Sequence, residues 1–156
     1  MSLILLRDVI ESDLPIFFEQ QLDPDAVEMA AFPSRDWEAF DAHWTKIMGM
    51  DSVLLKTIEV DGRVAGNIVC WSEGEEREVG YWLGKEFWGK GIATQALKEF
   101  LEIEKMRPLR AHAATHNVAS RRALEKCGFK VIGRQWILDN DGNQLVEELI
   151  LELGGS

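Results

Sequence analysis

Apolar residues recur with two different periods along this chain, and the changes of period mark out its elements. Leu3 to Val9 reads as a first strand. Ser12 stands where it can cap a helix that carries Leu14, Phe17, Phe18 and Leu22 on one face. The segment holding Pro24 and Pro33 reads as a loop. A second helix is expected after Ser34 or Asp36, because Trp37, Phe40, Trp44, Ile47 and Met48 trace a helical stripe. Those aromatics read as core rather than as a binding surface. Two apolar runs, Val53–Val60 and Arg63–Trp71, are joined by Asp61-Gly62, a dipeptide that suits the positive φ of a hairpin turn. Glu73 to Glu76 makes another turn, and Arg77 to Leu83 is the third strand of this meander. Ile92, Ala96, Leu97, Phe100, Leu101 and Ile103 line one face of a helix from Ile92 to Met106, ended by Pro108. Leu109–Thr115 reads as a strand, Ala119–Cys127 as a helix and Phe129–Leu138 as a strand. Asp139-Asn140-Asp141-Gly142 turns the chain, and Val146–Leu153 closes it.

This order predicts a mixed layer structure of helices on a sheet, antiparallel in its first half. The length of 156 residues, with 46% hydrophobic content, suits one domain with a real core. No apolar run approaches the ~20 residues of a membrane span. The start of the chain lacks the basic flank and the length of a signal peptide, so a cytoplasmic location is expected. Net charge is −10, from 27 acids against 17 bases, which argues against nucleic acid as a partner and weakly suits a cationic substrate. Cys70 and Cys127 lie far apart, with no Cys or His at metal-ligand spacing, so no metal site is expected and both read as reduced thiols.

The chemistry concentrates in two segments. In Tyr81-Trp82-Leu83-Gly84-Lys85-Glu86-Phe87-Trp88-Gly89-Lys90-Gly91-Ile92-Ala93-Thr94 a strand ends, a glycine-containing turn follows and a helix begins. The first amides of a helix lack internal partners and favour an anion. Gly89 and Gly91 remove side chains that would block a phosphate, and Lys90 can add charge. A nucleotide P-loop needs Gly-Lys-Ser/Thr, whereas here Lys90 precedes Gly91. A dinucleotide fold needs a third glycine where Thr94 stands, within a parallel unit. Glycines that only permit tight packing of strand on helix are the structural alternative. The second segment, Asn117-Val118-Ala119-Ser120 through Glu125-Lys126-Cys127-Gly128-Phe129, follows a strand and opens a helix with good capping residues.

Together, in this order and spacing, the two segments resemble the GNAT superfamily of N-acetyltransferases. Trp88-Gly89-Lys90-Gly91-Ile92-Ala93 corresponds to its Arg/Gln-x-x-Gly-x-Gly/Ala signature, and the wider stretch is similar to the ribosomal-protein N-acetyltransferase branch. The resemblance covers nearly the whole chain. It implies an α+β fold, with a mixed, mainly antiparallel central sheet of about six to seven strands flanked by about four helices, in one domain over residues 1–156. It implies that Gly89, Lys90, Gly91, Ile92, Ala93 and Thr94 wrap the pyrophosphate of acetyl-CoA. Tyr81, Trp82 and Leu83 would pair their backbone with the pantetheine arm in a slot left where that strand parts from the Leu109 strand. An amide near Leu83 would polarise the thioester carbonyl. Asn117 would bond the arm, and Ser120 would lie near the sulfur.

Two positions depart from the family pattern. Trp88 replaces the usual Arg or Gln, and Leu124 stands where many relatives carry a tyrosine that protonates the departing thiolate. The only tyrosine, Tyr81, belongs to a strand rather than to that helix. Ser120, water, or an unassisted thiolate of pKa ~8.5 are the alternatives. An amine of pKa ~10.4 is about a thousandth neutral near neutral pH, a deficit of roughly 4 kcal/mol, so a base is needed. Glu78 is the first candidate, His112 the second and His116 the third; each is equally readable as an ordinary polar residue of a strand or strand end. The expected function is direct acetyl transfer from acetyl-CoA to a primary amine, either a protein N-terminus or a small molecule, by a monomer or homodimer that binds neither nucleic acid nor membrane. The alternative is a non-catalytic acyl-CoA-binding regulatory module.

Overall fold

The computed structural model describes residues 3–30, 35–138 and 145–154. Seven strands form a single sheet: β1 (Ile4–Asp8), β2 (Leu54–Val60), β3 (Arg63–Glu73), β4 (Glu76–Leu83), β5 (Leu109–Ala114), β6 (Lys130–Leu138) and β7 (Leu145–Leu153). Their spatial order is β1-β2-β3-β4-β5-β7-β6. Every neighbouring pair is antiparallel except β4 and β5. Five helices are described: α1 (Leu14–Gln21), α2 (Pro24–Ala30), α3 (Trp37–Met48), α4 (Ile92–Ile103) and α5 (Val118–Lys126). This is the α+β architecture expected, with one helix more. None of these helices is long and apolar enough to cross a membrane.

The sheet is covered on both faces, and strand alternation assigns each face its residues. On one side α4 lays down Ile92, Ala96, Leu97 and Phe100, against Ile58, Ile68, Val79, Leu83, Leu109 and Leu151. Leu97 and Phe100 are fully buried, and each such side chain contributes about 1.5–3 kcal/mol by leaving water. On the other side α1 and α3 bring Leu14, Phe17, Phe40 and Trp44 into a second cluster. Phe17 and Trp44 meet at 5.1 Å between ring centroids, and Phe18 meets Phe40 edge-on at 5.5 Å. The aromatic stripe is therefore core at Phe40 and Trp44, while Trp37 stays exposed.

Three features differ from the sequence reading, and the start of α3 agrees with it. Residues 24–30 are helix rather than loop: Pro24 occupies the first turn, where no N–H is needed, and Asp23 accepts the Asp25 N–H at 3.1 Å. Ser12 does not cap α1; it sits in a 3-10 turn (Glu11–Asp13) that leads into the helix. The neighbouring Asp13 is buried and takes Arg7 through two hydrogen bonds of 2.8 Å, Thr57 Oγ1 at 2.8 Å and the Ile10 N–H at 3.0 Å. α4 ends at Ile103, ahead of Met106: Glu104 turns extended and its carboxylate is paired with Arg77. Asp36 caps α3, accepting the Ala39 N–H at 2.8 Å; Ser34 and the Asp139-Asn140-Asp141-Gly142 turn lie outside the described residues.

Candidate functional site

β4 and β5 pair only at Arg77↔Leu109 and Glu78↔Arg110. Beyond Glu78 β4 keeps its pairing with β3 through Leu83, while β5 pairs with β7 from Leu109 to Ala114. The sheet therefore opens as a V whose apex is Glu78. A cleft of about 620 Å³ occupies the opening, lined by Tyr81, Trp82, Leu83, Gly89, Gly91 and Ile92, by Ala93, Thr94, Asn117 and Ser120, and by Ala26 and Met29 of α2. The cofactor residues expected from sequence are thus gathered on one cleft, except Lys90, which is exposed on the turn between the two glycines.

The turn before α4 leaves backbone amides and open space on the cleft. Gly89 and Gly91 both have positive φ, 73° and 75°. A Cβ on either would meet no atom within 4 Å, so these glycines do not serve close packing of strand on helix. They serve backbone conformation and leave the space above the turn open. Gly91 is the N-cap and has no side chain to cap the amides that follow, which leaves those amides for a ligand. Trp88, at the position where the family has Arg or Gln, faces the protein: its indole N–H donates to the Leu83 carbonyl at 2.9 Å and braces the end of β4 against the turn.

Across the cleft, α5 begins at Asn117, whose Oδ1 accepts the Ser120 N–H at 3.2 Å. Leu124, one turn further on, is buried among the core residues. Tyr81 belongs to β4, yet its hydroxyl reaches across to Ser120, donating to Oγ at 3.1 Å. Burial raises the pKa of this phenol above its ordinary 10, an effect the Ser120 contact only partly offsets.

Alternation puts Val79, Tyr81 and Leu83 on the α4–α5 side of β4, and Glu78 and Trp82 on the other, where the Trp82 indole N–H donates to the Gln20 carbonyl of α1 at 3.2 Å. On that second face, at the apex, the structure joins two residues that the sequence offered as rival bases. His112 Nε2 lies 2.9 Å from Glu78, and His112 Nδ1 lies 2.8 Å from Glu148. Gln135 donates to Glu148 at 2.7 Å. The Glu78 and Glu148 side chains are only 14% and 15% exposed. The hydrogen bond to Glu148 is the largest influence on His112; with the charge of Glu78 it outweighs burial and raises the imidazole above its ordinary 6.5. Burial pushes the Glu148 carboxyl up, but the bonds from His112 and Gln135 prevail and hold it below its ordinary value. His116 is separate: its Nε2 donates to the Glu28 carbonyl of α2 at 2.9 Å. The sequence reading missed Glu148 and Gln135, because only the pairing of β7 with both β5 and β6 brings them to His112. It missed Ala26 and Met29 because α2 was read as loop. Among the described residues, no cluster of His, Cys, Asp and Glu is arranged to hold a metal ion.

Comparison with known proteins agrees with this geometry. Over 126 residues the chain is 31% identical to YdaF of Bacillus subtilis (strain 168), named as a ribosomal N-acetyltransferase; the match covers 76% of this chain and 63% of that protein. The fold superposes on a ribosomal-protein-alanine N-acetyltransferase from Brucella melitensis with a TM-score of 0.79, at 23% identity, over 95% of this chain and 98% of the other. It superposes on a spermidine N-acetyltransferase from Vibrio cholerae, solved with CoA and spermine, with a TM-score of 0.80, at 16% identity, over 96% and 95%. The family model described as an acetyltransferase (GNAT) domain matches residues 4–130, a span that runs from β1 to the start of β6 and contains both walls of the cleft, and the chain accordingly belongs to the GNAT family of acetyltransferases.

Proposed function

We propose that this chain is an N-acetyltransferase that moves the acetyl group of acetyl-CoA onto a primary amine by direct attack of the amine on the thioester. The observation that carries the reading is the parting of β4 from β5 after Glu78, with the open Gly89–Gly91 turn on one wall and the Asn117 helix start on the other. In this reading the pyrophosphate takes the turn amides and Lys90, the pantetheine arm lies along the unpaired edge of Tyr81–Leu83, and Asn117 bonds the arm. The thioester then reaches the apex.

The two faces of the sheet divide the proton work. An amine arriving on the face of Glu78 and His112 finds the proton acceptor that it needs, and the Glu78–His112–Glu148 array acts as one unit. The sulfur leaves as a thiolate toward the face of Tyr81 and Ser120. The C–N bond forms, the C–S bond breaks with its electron pair going to sulfur, and the amine proton goes to the array. Below the raised pKa of His112 the imidazole is already protonated and cannot accept that proton, so turnover rises with pH through this range.

The acceptor class is supported by what the relatives are named for: ribosomal N-acetylation in one, alanine of ribosomal protein in another, and a polyamine in the third. A protein N-terminus and a polyamine are both cationic amines, and they would meet the carboxylates of Glu78 and Glu148 at the apex, while the neighbouring Glu76 and Glu152 are already paired with Arg110. The second reading, a non-catalytic acyl-CoA-binding module, draws on one observation: α5 presents buried Leu124 where many relatives carry a tyrosine. Release of free thiol from acetyl-CoA on addition of ribosomal N-terminal peptides or polyamines separates the two. Acceleration by an amine is expected; binding of acetyl-CoA with no amine-dependent release would favour the module.

A further inference from the structure

Leu124 removes from α5 the hydroxyl that would meet a departing sulfur, and the chain has a single tyrosine elsewhere, Tyr81. That tyrosine sends its hydroxyl across the cleft to Ser120. A phenol is a more acidic hydroxyl than an alcohol, so it donates, and Ser120 Oγ accepts. The serine then keeps its own proton for a third partner, and accepting one hydrogen bond makes it a stronger donor of another. Ser120 is held in place from its backbone by the Asn117 carboxamide, and both hydroxyl residues line the cleft.

We propose that Tyr81 is a positioning residue of the transfer site, whose phenol bonds Ser120 Oγ and so directs the serine hydroxyl proton onto the CoA sulfur as the thiolate leaves. The inference rests on the acyl-CoA reading of the cleft. Burial keeps the phenol protonated, hence a donor, throughout the working pH range. No proton need be transferred: the sulfur departs as a thiolate carrying the electron pair of the broken C–S bond, and the serine hydrogen bond stabilises that charge. The side chain of Phe at 81 would fill the same space without the donor.

The bound thiol reports the contact directly and requires no acceptor amine. A donor aimed at sulfur lowers the thiol pKa of bound CoA, so CoA affinity should rise as pH climbs through the bound pKa, and level off above the free value of ~8.5. Affinities of CoA and of desulfo-CoA are measured by calorimetry between about pH 6.5 and about pH 9.5. His116, Arg122, Lys126 and the adjacent Cys127 also face this cleft or Tyr81; they are common to both complexes, and the difference between the two ligands isolates the thiol. In the wild type, CoA should gain on the order of tenfold over desulfo-CoA across that range, the worth of one hydrogen bond to a charge. Tyr81→Phe and Ser120→Ala should each lose most of that gain, the double variant should lose no more, and Ser120→Thr, which keeps the hydroxyl, should retain it. Desulfo-CoA should bind all variants alike. A full gain in Tyr81→Phe, or no gain in the wild type, would overturn the proposal; so would a Tyr81→Phe protein that loses desulfo-CoA as well, since Tyr81 would then only shape the cleft. Failure of both ligands to bind the wild type would instead reject the acyl-CoA reading.

Discussion

Glu78 and His112 are in contact, so in the proposed reaction they are expected to act as a coupled pair rather than as rivals. Glu78→Gln should lower kcat by ~10²–10⁴-fold, the usual worth of a general base, with CoA affinity unchanged, because the side chain lies on the sheet face away from Tyr81 and Ser120. His112→Gln should produce a loss of the same order, and the double variant should fall little below the worse single one. Steady-state rates with one accepted amine check this; near-normal turnover in both singles would remove the array from the mechanism. Glu148 gives a second prediction at this scale. Its hydrogen bond is the largest cause of the raised His112 pKa. Glu148→Gln should therefore move the rising limb of the pH–rate profile to lower pH, and an unmoved limb would show that His112 does not control it. Asp13 gives a third, on stability. Burial pushes its carboxyl up, but Arg7, the Ile10 N–H and Thr57 outweigh burial and hold it below its ordinary 3.8. A depressed carboxylate pKa stabilises the fold above the unfolded value, and this contribution is lost as pH falls through the folded value. Asp13→Ala should cost about 3 kcal/mol in urea unfolding near neutral pH and should flatten the acid limb of stability; a change under about 0.5 kcal/mol would contradict the assignment.

The start of α4 is an element whose sequence and purpose can be separated by substitution. Gly91→Val forces a β-branched residue to a φ of 75° and places its side chain in the open space above the turn. The strain costs about 1–3 kcal/mol of stability, whereas the side chain obstructs the anion outright. CoA affinity should fall by far more than stability, with calorimetry and thermal melts read on the same protein; a folded variant with wild-type affinity would take the phosphate away from this turn. The same helix shows what was legible beforehand. Its apolar period, its glycine turn and the strand before it could be read from residues alone, because all three are local. So could the β2–β3 hairpin, through Asp61-Gly62. α2 was not legible, since a short stretch bounded by Pro24 and Pro33 looks like a loop until Asp23-Pro24 is seen starting a helix. The N-terminus of α1 misled for a related reason: Ser12 has the capping chemistry, but the buried partner of Arg7 and Thr57 is Asp13, and those contacts span up to 44 residues of sequence. Tyr81 was judged by its element, while its hydroxyl is decided by the width of the cleft. Long-range contacts govern the last two, and periodicity carries no information about them.

At the scale of the whole molecule, the two core layers hold a sheet that is continuous except where β4 leaves β5, and the account places function at that interruption. A ligand that fills it binds only the folded state and should stabilise the entire domain: acetyl-CoA at about a hundred times its Kd should add about 2.7 kcal/mol, or roughly 5–10 °C of melting temperature. An unchanged melting curve at saturating acetyl-CoA, with calorimetry also silent, would leave the cleft without its ligand. The central claim, transfer of acetyl from CoA to an amine at the apex, is tested most directly by incubating the protein with acetyl-CoA labelled in its acetyl group and with ribosomal N-terminal peptides or polyamines, and reading the products by mass spectrometry. The account predicts labelled acetyl on the amine nitrogen with matching release of CoA, and a rate that collapses in Glu78→Gln while acetyl-CoA still binds. Acetyl-CoA bound at saturation with no amine labelled above the uncatalysed background, or label carried on a side chain of the protein before the amine is added, would contradict it.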